Sequence, residues 1–334
     1  MKRRLIGALA VAALLVTTTA CGGDSDEPAA AGATTTVRLG FSAWPGWFPW
    51  QVAQEQGLFA KHGVNVELKY FDSYTDSLTA LGTGNLDANS QTLNDTLASV
   101  SGGAAQTVVL VNDNSTGNDQ IIARSGINTV ADLKGKRVAV EKGTVDHYLL
   151  LLALKKAGLT EADIELKPLL TDAAAAAFLA GQVDAVGAFA PFTTTALGLA
   201  GSKAIATSKD FPGAIPDHLA FSADFVKEHP KEVQAVVNTW FDTLAWIAAN
   251  KDKAVEIMAK KAGVSVADYK TYDAGTTIFT KEQNLAAFTP GSTPANLDYQ
   301  AAQIADFLVS TKLVDTKPSL DGLLNDTFVK AAGS

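Results

Sequence analysis

Three tryptophans, Trp44, Trp47 and Trp50, fall within seven residues of one another in a stretch that also holds Pro45, Gly46 and Pro49. A loop so rich in turn formers cannot easily turn all three indoles into one core. Their faces are then free to wall a binding site by stacking or cation–π contact. Capping the hydrophobic core is the competing role, and it stays open for each of them. Ser73 and Tyr74 open a predicted helix, whose first backbone N–H groups can hold an oxyanion, although plain N-capping explains the same letters. Asn94 and Asp95, after a strand ending near residue 90, repeat that geometry. In the second half, Gly143 and Thr144 can expose N–H groups to an anion, with His147 on the helix that follows. Phe189 and Pro191 follow another strand. His147 serves equally well as a structural residue, because the apolar run 149–152 behind it must be buried.

The charges in these loops are one-sided. Asp76, Asp95, Asp119, Glu141, Asp146 and Asp217 all fall near predicted loops or crossings, and Lys142 is almost the only base among them. Such a site serves a bare dianion poorly. A cationic end suits it better, meeting a carboxylate or an indole while any acid group meets a helix N-terminus. Most of these acids can also be read as solvated caps. Catalysis finds little support: His62, His147, His218 and His229 are scattered without ligand spacing, and no Ser-His-Asp order with an elbow motif appears. No cofactor and no metal site are expected.

These residues sit in a chain of 334 residues, 47% hydrophobic and 19% charged, long enough for two domains with real cores. A net charge of −8 excludes a phosphate-tracking nucleic-acid binder, which needs a basic footprint. The body opens with an alternating strand at 37–41, a helix at about 50–62 stopped by Gly63, and a second strand at 64–70. That β-α-β order favours a parallel sheet flanked by helices.

An internal echo organises the rest. Residues 80–88, ending Gly84-Asn85-Leu86-Asp87-Ala88, line up with 177–185, ending Gly181-Gln182-Val183-Asp184-Ala185, and matching strands at 66–69 and 164–167 stand upstream. Two units thus repeat helix, glycine, strand, loop, helix, glycine, strand. An apolar strand at 107–112, a polar crossing at 112–119 and a strand at 120–124 join them. The run 215–221 returns the chain to the first unit. A long helix opened by Pro230 carries Val233, Val236, Val237, Trp240 and Leu244 at helical spacing. The expected organisation is an α/β, bilobed molecule of two Rossmann-like lobes joined by a two-strand hinge. Residues 37–119 with 221–334 form lobe 1, residues 120–220 form lobe 2, and the ligand sits in the cleft at the strand ends.

At the N-terminus, Lys2, Arg3 and Arg4 precede an apolar run at 5–16 and the small residues 17–20, the pattern of a signal peptide over 1–20. Cys21, the single cysteine, would begin the mature chain. The segment resembles the lipobox of a bacterial lipoprotein, with Thr18 where an aliphatic residue is usual, and so implies an acylated Cys21. The composition of 22–36 reads as a flexible tether. Losing Lys2, Arg3 and Arg4 takes the charge from −8 to −11.

Trp44-Pro45-Gly46-Trp47, the stretch 53–59, Phe71-Asp72-Ser73-Tyr74, Gly84-Asn85-Leu86-Asp87-Ala88, Asp132-Leu133-Lys134-Gly135-Lys136, Glu141-Lys142-Gly143-Thr144 and Gly181-Gln182-Val183-Asp184-Ala185 leading to Pro191 occur in one order across most of 37–230. In this the chain resembles the substrate-binding proteins of ABC importers for nitrate, sulfonates and taurine, relatives also of thiamine-precursor binders. The resemblance implies a type II periplasmic-binding fold, hinge closure around a small solute, no catalysis, and a monomer that delivers its solute to an ABC permease with its ATPase subunits, at a membrane to which the lipid anchor holds it. A sulfonate such as taurine, or nitrate, is the solute it implies. A cationic or heteroaromatic amine, such as a thiamine-type pyrimidine, is the alternative favoured by the tryptophans and acids.

Overall fold

The computed structural model describes residues 35–333; the expected signal peptide, Cys21 and nearly all of the tether lie outside them. Two mixed sheets form the frame. The first has the order β11-β4-β10-β3-β1-β2, from β1 (Thr36–Ser42), β2 (Asn65–Phe71), β3 (Ala88–Thr92), β4 (Gln106–Ser115), β10 (Pro216–Ser222) and β11 (Thr276–Ile278). The second has the order β7-β6-β8-β5-β9, from β5 (Asp119–Ala123), β6 (Arg137–Val140), β7 (Glu165–Pro168), β8 (Ala185–Phe189) and β9 (Lys203–Thr207). The molecule is bilobed, one sheet to a lobe. The sequence echo is built into both. β1 pairs in parallel with β2 and β3, and β6 with β7 and β8, in matching registers, Leu39 opposite Ala88 and Val138 opposite Ala185.

Each echo is pinned by an equivalent ion pair. Asp87 accepts from the backbone N–H of Arg38 at 2.8 Å and from its guanidinium at 3.0 and 2.5 Å. Asp184 accepts from Arg137 at 3.0, 3.0 and 2.8 Å. A carboxylate at the start of the third strand of each unit thereby fixes the first strand beside it, bidentately.

Several boundaries differ from expectation for local reasons. The helix expected at 50–62 is two, α1 (Pro49–Glu55) and α2 (Leu58–Lys61), because Gly57 between them has a φ of 65° that no helix residue adopts. β4 continues through its polar end to Ser115, which shortens the crossing to residues 116–118. β10 belongs to the first sheet, so the chain leaves the second lobe before Pro216 and not at residue 220. The two crossings are tied to each other. Ser208 Oγ accepts from Gly117 N–H at 2.7 Å and lies 2.7 Å from Ser115 Oγ.

The helices that matter to the cleft are α3 (Tyr74–Gly82), α4 (Leu93–Ser101), α5 (Val145–Lys156), α6 (Thr171–Leu179) and α7 (Phe192–Leu197). The long helix Pro230–Ala249 packs back on the first lobe, burying Val233, Val236, Val237 and Trp240. Among the described residues no helix is long and apolar enough to cross a membrane.

Candidate functional site

The turn after β1 brings Trp44 and Trp47 over the ends of the first sheet, and this turn depends on Gly46. A Cβ there would lie 1.8 Å from the carboxylate of Asp113 on β4, so only glycine lets the turn close over that acid. Trp44 Nε1 then donates to Asp113 Oδ1 at 2.9 Å. Trp50, one turn on, is core: it stacks on Phe59, packs 4.7 Å from Trp240 and donates to Ser90 Oγ at 2.8 Å.

Between the lobes Trp44, Trp47, Tyr74 and Phe189 close a four-membered aromatic circuit, with centroid separations of 6.3, 5.5, 6.2 and 6.4 Å around it. The centre of a near-equilateral four-sided circuit is nearer to each corner than one side length. A group held there lies within roughly 6 Å of every ring centroid, and the rings meet one another tilted or edge to face. The rings enclose a cavity of about 10 Å³, lined also by Ala43, Thr92, Asp119, Val145 and Asp217. That is the room of about one water molecule, so these walls fit a group of few atoms.

Two acids, Asp119 and Asp217, line the cavity. Asp95, Asp113, Asp119, Asp146 and Asp217 are at most 2% exposed and Glu141 is 4% exposed. Among the described residues none of the six makes an ion pair with lysine or arginine. Burial without a counter-charge penalises the ionised form. It pushes Asp95 and Asp119 up to about 7 and holds Asp146 well above the usual carboxylate range. Thr171 Oγ1 lies 2.7 Å from Glu141 and 2.9 Å from Asp146, and one hydroxyl proton cannot serve both. Asp119 Oδ2 and Asp217 Oδ2, from the two carboxylates that line the cavity, and Trp47 Nε1 have no hydrogen-bond partner among the described residues. No group of three or more His, Cys, Asp or Glu among the described residues has metal-holding geometry.

The helix N-termini at the cleft already hold carboxylates of the chain itself. Glu141 accepts from Thr75 N–H at 3.3 Å, in the first turn of α3, and from Thr171 N–H at 3.2 Å, at the start of α6. The Thr75 hydroxyl donates to it as well. One carboxylate thus bridges helices of both lobes. Asp95 accepts from Thr92 Oγ1 at 2.7 Å and from Asn94 Nδ2 at 2.8 Å.

Of the residues expected at the site, Trp44, Trp47, Tyr74, Asp119, Phe189 and Asp217 come together on the cavity wall. Asn94 and Asp95 stand behind Thr92, buried, and off the wall. The others do local work. Ser73 caps α3, accepting from Asp76 N–H at 3.2 Å. Thr144 Oγ1 donates to the backbone carbonyl of Glu141 at 2.9 Å. His147 accepts from Gly143 N–H at 3.2 Å and pairs with Glu161 at 2.8 Å, beside a separate surface hollow. Pro191 precedes α7 and is absent from the wall. Sequence reasoning missed Thr92, Val145 and Asp113. Asp113 was hidden because the polar run 112–119 reads as a loop and not as the end of a strand.

The NMT1-like family matches residues 30–262. A putative binding protein of Brucella abortus (strain 2308) is 30% identical over 263 residues, 77% of this chain and 80% of that protein. The taurine-binding periplasmic protein of Escherichia coli (strain K12) is 27% identical, over 75% of this chain and 81% of that one. Among solved structures, the alkanesulfonate-binding protein of Xanthomonas axonopodis pv. citri bound to MOPS superposes with a TM-score of 0.75 at 23% identity, covering 88% of this chain and all of that one.

Proposed function

The chain belongs to the NMT1-like family, and on that footing we propose that it is the extracytoplasmic solute receptor of an ABC importer, lipid-anchored through Cys21, which captures a small solute by a cationic nitrogen between its lobes. The receptor role is supported by relatives named as binding proteins along most of their length and by the shared bilobed fold. Its partners are then a permease and its ATPase subunits, and the chain works as a monomer without catalysis. Capture proceeds by the lobes parting and closing on the aromatic circuit.

One observation carries the choice of solute: of six buried carboxyl groups that no lysine or arginine pairs with among the described residues, Asp119 and Asp217 line the aromatic cavity. A cation leaving water there exchanges its hydration for ring faces and the unpartnered oxygens of Asp119 and Asp217. An anion finds one free donor on the wall, Trp47 Nε1, and meets the unpartnered oxygens of Asp119 and Asp217. The N–H groups of Thr75 and Thr171, at the first turns of α3 and α6, already serve Glu141. Taurine could enter only by its ammonium, with its sulfonate facing acids. The favoured solute is a compact organic cation with N–H donors, of ammonium or amidinium type. The test is isothermal titration with methylammonium, guanidinium, taurine, methanesulfonate and nitrate. Micromolar binding of a cation, with no heat from the two anions, is expected; binding of nitrate or methanesulfonate alone would sink the reading.

A further inference from the structure

Asp113 takes no part in the cavity wall, yet it faces the one acid on that wall that belongs to its own sheet. β4 and β10 pair antiparallel with Asp113 opposite Asp217. Both carboxyls are buried, at 0% and 1% exposure, and the Oδ2 atom of each lacks a conventional donor. Carboxyl groups so placed cannot both ionise and satisfy each other by sharing one proton. Asp113 is fixed in that position by Trp44 Nε1 on its other oxygen and by the Gly46 backbone against its carboxylate.

Resting on the cationic-solute reading, we propose that Asp113 is a positioning residue that keeps a proton on the Asp113–Asp217 pair, and that capture of a cation over Asp217 expels that proton to solvent. The balance is simple. One O–H bond breaks, its electron pair stays on the carboxylate, the proton leaves to buffer and the cation takes its place. Among the described residues no cation pairs with either member. Facing the pair are Asp119 from β5, Asp95 from α4, Tyr74 from α3, and Tyr269 with Asp273 beyond it, while Asp146 from α5 neighbours Asp119 and not the pair. His218, next along β10, turns to Thr96 instead and is held neutral by burial. Burial and the neighbouring carboxylates raise both members of the pair, in keeping with a retained proton.

The experiment is titration of the full chain with guanidinium chloride and methylammonium chloride in phosphate and in Tris, which differ in ionisation heat, at several pH values. Wild type should release at least about one proton per cation, with affinity rising up to about tenfold per pH unit in the range where the pair titrates. In Asp113→Asn the amide keeps the Trp44 bond and donates to an ionised Asp217, so this variant should release about one proton fewer and show a flatter pH profile. Equal proton release by wild type and variant, or none by wild type, overturns the proposal while leaving the cationic reading intact. If neither cation binds, the reading itself falls and takes the proposal with it. Infrared difference spectra of the wild type read the same event without a variant: a protonated carboxyl band should vanish on binding, and its persistence counts against the pair.

Discussion

At the scale of single residues, the same letters divide into those that meet the cavity and those that serve their own backbone. Trp47 and Ser73 make the contrast testable. Trp47→Ala opens the aromatic circuit and should weaken cation binding at least about tenfold in titration calorimetry, the scale of one desolvated cation–π contact. Ser73→Ala removes only an N-cap, which costs about 1 kcal/mol of stability; the melting temperature should fall slightly while affinity stays put. About half of the site was legible in the sequence because aromatic residues and unpaired acids in strand-to-helix loops are costly to bury without a purpose. The rest was not, because Ser73, Thr144 and His147 have chemistry equally suited to a cap or a ligand, and only the direction of the side chain separates the two. Asp113 shows the reverse case. Its role depends on an opposite residue more than a hundred positions away, which no local pattern announces.

At the scale of elements, the repeated nonapeptide made the fold readable. It encodes a helix end, a turn at Gly84 or Gly181 and a strand start whose acid clamps an arginine on the neighbouring strand. Asp184→Ala leaves Arg137 N–H and its guanidinium without that partner at the start of β6, an interior strand of the second sheet. Melting should fall by a few degrees with cation affinity unchanged, as differential scanning calorimetry combined with titration would register. The break at Gly57 and the true end of β4 were less legible, because a single positive φ and a strand with a polar end carry little periodic signal. Glu141 links elements of different lobes through the first turns of α3 and α6. Glu141→Gln keeps the shape but weakens the charge-assisted bonds. Small-angle scattering should then show a larger mean radius, with affinity lowered several-fold, whereas an unchanged radius would mean the bridge does not hold the lobes.

At the scale of the whole molecule, an acidic interior without counter-charge sets how stability depends on pH. Asp95 and Asp119, raised from 3.8 to about 7, retain protons in the folded chain that the unfolded chain has already lost. Stability is therefore greatest in mild acid and declines as pH rises from about 4 through 7. Melting temperature should drop by several degrees between pH 5 and pH 8, and a bound cation should remove most of that drop. Whether this body closes on a cation is decided by a crystal structure of the guanidinium or methylammonium complex. The nitrogen should lie inside the circuit of Trp44, Trp47, Tyr74 and Phe189, within hydrogen-bonding distance of Asp119 and Asp217. A cation bound elsewhere, or a sulfonate seated on the first turns of α3 and α6 with Glu141 displaced, would contradict it.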